Sequence, residues 1–388
     1  MGDIIIKKDS KIKIYLSQGE DTAVRIAAKN LCSDIESVCG AYTELTCEKN
    51  EAGLIISSLS ANKDACRKLP QENGSPYPES YSVFESEGKL YIYGADRRGT
   101  VYGIYAFCEY IGVSPWYIFA DVPAKKKDRI VIKQGYERND HPTIPYRGIF
   151  INDEEELEAW AKLKMGEKTI GPKTYSLIFE LLLRLGGNYI WPAMHVNAFN
   201  NDPENGRLAN DMGLIVGTSH CDMLLRSNQN EWQPWCEKNG FENAIYDYSL
   251  GYENREIIKR YWRESVEQNN GYEVSYTVGM RGIHDTGFVT KAIDTEPVTA
   301  EEKREKKIKL LERVIDDQRA IIHSVTGKED APQTFIPYKE VLELYDNGLD
   351  LPDDITLIWP DDNFGYMRRY PNNTERARKE MCIRDRSL

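Results

Sequence analysis

Charged and hydrogen-bonding side chains recur just beyond six short apolar runs that begin at Tyr146. The first run is followed by Asn152-Asp153, the second ends in Trp191-Pro192 with His195 and Asn197 close behind, and the third leads to His220. Arg281 and His284-Asp285 follow the fourth, Tyr338-Lys339-Glu340 the fifth and Asp361-Asp362-Asn363 the sixth. Several carboxylates, one guanidinium and aromatic rings gathered in one cleft suit glycoside hydrolysis. That reaction needs one carboxyl to protonate the leaving oxygen and a second carboxylate to act as base or nucleophile. Arg281 suits an anionic sugar, because a guanidinium grips a carboxylate in bidentate fashion. Trp191 offers a ring to stack on a sugar face.

Plainer readings stand beside these. Asp153 opens an acidic run, Asp153-Glu154-Glu155-Glu156, of the kind that is usually solvated. Asp361-Asp362 fits the cap of a following turn. Trp191 fits a core position as well as a sugar platform. His195 and His220 resemble a metal pair but lack an apparent third ligand, so neither a metal nor another cofactor is expected. His284 beside Asp285 resembles part of a triad, yet no GxSxG elbow supplies a nucleophile.

Side chains so far apart in sequence act together only if a scaffold gathers their loops. The apolar runs Tyr146–Ile151, Asn188–Pro192, Leu214–Gly217, Val274–Met280, Thr334–Pro337 and Thr356–Pro360 read as strands. Helices fill several gaps. Pro172 opens one, with Tyr175, Ile178, Phe179, Leu182 and Leu183 at helical spacing and Gly186-Gly187 closing it. Glu301–His323 carries Ile308, Leu311, Ile315 and Ile322 on one face. Repeated strand–helix units predict a parallel sheet, with a (β/α)8 barrel as the leading form and active groups at the carboxyl ends of its strands. Only six such strands precede the end of the chain. An open parallel edge exposes unpaired backbone groups. The expectation is therefore an incomplete barrel over 146–378, in a truncated chain. The last residues, Met381 to Leu388, do not continue the pattern, and 379–388 reads as a tail foreign to the rest.

Before the barrel, residues 1–140 read as a small α/β domain. Its strands are expected at Asp3–Ile6, Ile12–Leu16, Leu54–Ser57, Tyr81–Phe84, Lys89–Gly94 and Arg129–Ile132, its helices near Ala23–Val38 and Arg98–Ile111. The glycines of Gly94–Gly103 invite a phosphate-loop reading, but neither GxGxxG nor GxxxxGK[ST] is present. Lys125-Lys126-Lys127 and Asn139-Asp140-His141-Pro142 mark the boundary.

The whole chain has 388 residues, and its 50 Lys plus Arg against 62 Asp plus Glu leave a net charge of −12. That excess argues against nucleic acid or an anionic membrane as partner. Its eight cysteines follow no metal or disulfide spacing and read as free thiols. No apolar run reaches membrane-spanning length, and no basic stretch followed by an apolar one opens the chain, so a cytoplasmic location is expected.

At these same residues the chain resembles glycoside hydrolase family 115. The matching stretches are Arg147–Glu154, Asn188–Met194, Gly213–His220, Gly279–Asp285, Tyr338-Lys339-Glu340 and Trp359–Asn363, with Arg98–Tyr105 and Gly112–Trp116 in the first domain. The resemblance implies an α/β domain, a (β/α)8 catalytic barrel, a helical domain and a C-terminal β-sandwich. It also implies inverting release of α-1,2-linked glucuronic acid, or its 4-O-methyl form, from glucuronoxylan or glucuronoxylo-oligosaccharides without a metal. Asn152, Asp153, Arg281, Asp285, Tyr338, Glu340 and Asn363 fall on family site positions. Asp153, Asp285 and Glu340 form the catalytic set, with acid and base unassigned. Asn152, Trp191, His220, Arg281, Tyr338 and Asn363 form the substrate-binding set. A homodimer of full-length members is left open. Two other readings remain: a glycosidase for another sugar, and a carbohydrate-binding fragment without turnover.

Overall fold

The computed structural model describes residues 2–152, 154–362, 364–378 and 383–384. By packing, the chain divides into two units. The first is Met1–Gly148 with Ser176–Asn188 and Asp211–Leu214; the second is Ile149–Tyr175 with Tyr189–Asn210 and Ile215–Leu388.

The first unit contains β1 (Ile4–Lys7), β2 (Lys11–Leu16), β3 (Tyr42–Thr46), β4 (Leu54–Ser58), β5 (Gln71–Glu72), β6 (Ser75–Pro76), β7 (Tyr81–Ser86), β8 (Lys89–Gly94), β9 (Arg129–Ile132) and β10 (Glu137–Asp140). Six of these form one sheet in the order β10-β7-β8-β4-β2-β3. Its β8-β4-β2-β3 part is parallel and its β10-β7-β8 part antiparallel. Helices Thr22–Cys39 and Arg97–Ile111 pack on each other and on the sheet. Asp21 starts the first helix by accepting from the Ala23 N–H, and Gly40 ends it at φ 68°. The glycines of Gly94–Gly103, which form no phosphate-binding motif, serve packing. A Cβ on Gly99 would lie 2.2 Å from the Ser80 carbonyl oxygen, so only glycine lets this helix approach that backbone.

Glu79 clasps three distant segments of this unit. Its carboxylate meets Arg98 Nε and Arg147 Nη2 at 2.5 Å each and accepts from Asn188 Nδ2 at 2.9 Å. Two guanidinium groups and an amide thus satisfy the 7 % exposed Glu79 carboxylate in its buried position.

In the second unit the strands are short and follow one another in space as in sequence. They are β11 (Gly148–Phe150), β12 (Tyr189–Trp191), β13 (Ile215–Val216), β14 (Tyr276–Thr277), β15 (Gln333–Phe335), β16 (Thr356–Trp359) and β17 (Ile383–Arg384). The first six are each shorter than the apolar run that announced them. The orders are β11-β12-β13 and β14-β15-β16-β17, and a parallel bridge from Val216 to Val274 links the two sheets. Pairs β12–β13, β14–β15, β15–β16 and β16–β17 are parallel. Thus Ile383–Arg384, within the stretch read as a foreign tail, pairs alongside β16. Helices Asn228–Asn239, Tyr252–Asn269 and Ala300–Thr326 lie between strands. Trp191, Ile336 and Ile358 form a buried cluster with Phe150 and Tyr189 against it. All seven described cysteines are free, and among the described residues no helix is long and apolar enough to cross a membrane.

Candidate active site

Three strand ends of the second unit supply one polar cluster. Past β13 the chain makes a tight loop, Gly217 to Asp222, closed by Thr218 Oγ1 donating to the Asp222 carbonyl at 2.5 Å. This loop presents His220. Past β14 comes Gly279 at φ 113°, whose N–H and C=O are both held by the fully buried Gln318 amide at 2.8 Å. Gln318 lies on helix Ala300–Thr326 and stands in for a strand partner, fixing the turn two residues before Arg281. Past β15, Lys339 adopts φ 50° and ψ −122°, just before helix Glu340–Asp346.

These kinks have a steric purpose. Successive side chains on an extended chain point to opposite sides. With Lys339 turned into this sparsely populated conformation, Tyr338, Lys339 and Glu340 all face the cluster. His284 and Asp285 are likewise left-handed, at φ 58° and 54°. Non-glycine residues held this way cost of order 1–3 kcal/mol each and gather at functional sites.

Arg281 sits at the centre and is 2 % exposed. Its Nη1 lies 2.9 Å from Asp285 Oδ1 and its Nη2 3.2 Å from Glu340 Oε2. His220 Nε2 reaches the same Asp285 oxygen at 3.0 Å, and Lys339 Nζ reaches Oδ2 at 3.0 Å. Glu340 Oε1 accepts from the Phe288 N–H at 2.8 Å. The Tyr338 ring lies 4.4 Å from the His220 ring, with Arg281 and Lys339 over it at 5.3 and 4.9 Å. Arg281 Nε is buried and has no hydrogen-bond partner among the described residues; Nη1 meets Asp285 as an ion pair, off the line of a hydrogen bond.

The electrostatics separate the roles. Burial alone would raise the Asp285 carboxyl, but the His220 bond, Lys339 and Arg281 outweigh it and hold the group at about 2. Burial pushes the His220 imidazole below its ordinary value, with Arg281 and Lys339 adding to the effect against Asp285. At neutral pH Asp285 is therefore ionised and His220 neutral. Asp285 is thus a carboxylate with no proton to donate.

His220, Cys221 and Asp285 bring ligand atoms within 4.8 Å of one another. A metal ion fits them poorly, since both Asp285 oxygens are engaged and two cationic side chains stand beside the position a dication would take.

The structure brings together His220, Arg281, Asp285, Tyr338 and Glu340. Asn152 is exposed just past β11 and makes no hydrogen bond to the cluster among the described residues. Asp153 and Asn363 lie outside the described residues. Trp191 corrects an expectation: it is 4 % exposed, edge-on to Phe150, and donates its indole N–H to Tyr189 Oη at 3.2 Å. Its ring faces are packed by protein, as suits a core residue. Two participants were not given a role in the sequence. Lys339 carries a fourth charge into the cluster. Glu154 is 1 % exposed, and its carboxylate accepts the N–H groups of Met194, His195, Val196 and Asn197 at 2.6–2.8 Å, and Asn197 Nδ2 at 2.9 Å. It anchors the loop after β12, so one member of a run read as solvated is a buried strut.

Asp222 adds a pH-dependent element. It is buried with Ser219 Oγ at 3.2 Å and Cys221 Sγ at 3.4 Å, and burial pushes its carboxyl up to about 8. A carboxyl raised in the folded state favours folding while protonated, and that stability drains away as pH rises from about 4 to about 8. Asp222→Asn keeps the shape and removes the titration. It is expected to unfold much like the parent near pH 4 but to gain roughly 2–4 kcal/mol over it at pH 9. Urea midpoints of both proteins at the two pH values check this.

Comparison with known proteins agrees with this geometry. The description "Glycosyl hydrolase family 115" matches residues 139–382. Among solved structures, a family GH115 4-O-methyl-alpha-glucuronidase, BtGH115A, with specificity for decorated arabinogalactans, is 34 % identical with a TM-score of 0.85. The match covers 97 % of this chain and 48 % of that one, so this chain spans about half its length. A GH138 enzyme targeting pectin rhamnogalacturonan II is 14 % identical, with a TM-score of 0.51 over 90 % of this chain and 48 % of that one. A beta-N-acetylhexosaminidase from Bacteroides fragilis is 11 % identical, with a TM-score of 0.53 over 92 % and 67 %. These last two share the fold alone. No curated protein sequence matches. The long family match, which includes every strand end that builds the cluster, carries the conclusion: this chain belongs to glycosyl hydrolase family 115.

Proposed function

We propose that the site hydrolyses an α-linked glucuronic acid, or its 4-O-methyl form, from a decorated polysaccharide, with inversion at the anomeric carbon. The observation that carries this is Arg281: a buried guanidinium with an unsatisfied Nε, set between two carboxylates. A uronate carboxylate is the ligand chemistry that such a group recognises. Asp285, held ionised, is the base that activates water; the proton donor is Glu340 or Asp153. One guanidinium touching both Asp285 and Glu340 holds the two carboxylates side by side, and inversion needs them roughly 6.5–9.5 Å apart with a water between. The parallel strands are read as part of a (β/α)8 barrel with these groups at its carboxyl-end face. The backbone polysaccharide is xylan, joined to the uronate by an α-1,2 bond. Decorated arabinogalactan is the competing backbone, because the matched GH115 glucuronidase has specificity for decorated arabinogalactans.

The test is glucuronic acid release from glucuronoxylan and from glucuronate-decorated arabinogalactan. This chain would be assayed beside a version extended to the length of the matched relative. Proton NMR of the first product should show the β-anomer. A well-folded extended protein that releases no uronate from either polymer would overturn the reading, and α-anomer as first product would overturn inversion.

A further inference from the structure

Beside the cluster lies a cavity of about 400 Å³ whose walls include Tyr338, Lys339, Trp359, Asp361, Phe364 and Arg369. We infer that this cavity is a subsite for the neutral sugar to which the uronate is attached. The inference rests on the uronidase reading above and extends it to the leaving group.

Two buried polar atoms point to a ligand. Asp361 is 6 % exposed, and its Oδ1 has no hydrogen-bond partner among the described residues. Trp359 is 2 % exposed, and its indole N–H is likewise unpartnered. Buried groups of this kind are nearly always satisfied, so each marks a missing partner. One is an acceptor and the other a donor. A sugar hydroxyl both donates and accepts, and a pyranose carries several at once. Lys339, Arg368 and Arg369 in the lining are each already paired with carboxylates, Asp285, Asp362, and Asp346 with Glu375, so none is left to draw an anion, which Asp361 would repel. Most of the lining is apolar, the usual character of a small-ligand pocket with a few placed polar groups. Phe364, in this lining, is 81 % exposed. Exposed rings suit the C–H faces of a pyranose. Asp362, by contrast, is used by the fold, since its Oδ1 accepts from the N–H groups of Phe364 and Tyr366. Tyr338 and Lys339 belong both to this cavity and to the cluster, so one ligand can span the two.

Xylotriose and β-1,3-galactotriose, neither carrying a uronate, are titrated into this chain by calorimetry, with and without saturating glucuronic acid. At least one is expected to bind saturably and to remain bound when glucuronic acid is present. Asp361→Ala should weaken that binding roughly tenfold or more. Phe364→Ala, at an exposed position, should weaken it several-fold and stands in if the first variant fails to fold. Preference between the two probes tells xylan from galactan. Absence of binding by both, displacement by glucuronic acid, or binding unchanged in the folded variants overturns the inference. Neutral-sugar binding without uronate release would leave this subsite standing and remove the uronidase reading alone.

Discussion

Replacing Arg281 with alanine is expected to cut uronate release by roughly a hundred- to ten-thousandfold, the scale of removing one partner from a buried charge network. The guanidinium does two things at once. It separates Asp285 from Glu340 while cancelling their repulsion, and it offers an unpaired Nε to an incoming anion. Without it, two carboxylates face each other with only Lys339 and His220 nearby. Like charges at that range raise carboxyl pKa values, so the base would begin to hold its proton. Arg281→Lys should recover part of the loss, because an ammonium keeps the charge but cannot bridge two carboxylates in a plane. The comparison that matters is kcat/KM on uronate-bearing against neutral glycosides, in the same variant. A selective loss on uronates is expected; equal losses on both would remove the anion-gripping role and leave a scaffold role only.

Glu154→Ala is expected to produce the largest loss of stability of any single change in the second unit, about 4 kcal/mol or more. The carboxylate collects four consecutive backbone N–H groups and a side-chain amide. Removing it leaves these donors stranded, and each buried unsatisfied donor costs about 1–3 kcal/mol before water enters. Glu154→Gln should be nearly as damaging despite its shape, since its amide would aim N–H groups at N–H groups. Denaturant unfolding measures the loss, and hydrogen exchange locates it. The amides of 194–197 should be protected in the parent and open in both variants. If Gln behaves like the parent, the carboxylate's charge is not what holds the loop.

Much of this was legible in the sequence because the strand ends announce themselves. An apolar run followed by Gly-Met-Arg or by Pro-Tyr-Lys-Glu marks both a strand and what it delivers. What stayed hidden had physical causes. Strands β3 and β10 were missed because they lie at sheet edges. There charged and polar residues such as Glu44 and Glu137 are favoured over apolar ones. Glu154 was hidden because an acidic run looks solvated unless one knows that four amides converge on one of its members. Gln318 carried a signal that was not used. It falls three residues after Ile315 and four before Ile322, a polar residue inside the apolar stripe of its helix. Such a residue needs a buried partner, and here the partner is Gly279. Trp191 shows the opposite error: a large ring at a strand end was offered to substrate, while the strand interior needed it as filling.

The left-handed residues at His284, Asp285 and Lys339 have a consequence for anyone who tries to improve this protein. Each would be relaxed by glycine, which adopts positive φ at little steric cost. At Asp285 and Lys339 that relief is set against the ion pairs glycine would remove, so a screen for heat resistance would gain most at His284. In the proposed mechanism Asp285 is the base and Lys339 the cation beside it, so relaxing the backbone there with glycine is expected to abolish turnover. Backbone relief and turnover pull these two positions in opposite directions, and directed evolution of this scaffold should hold them fixed.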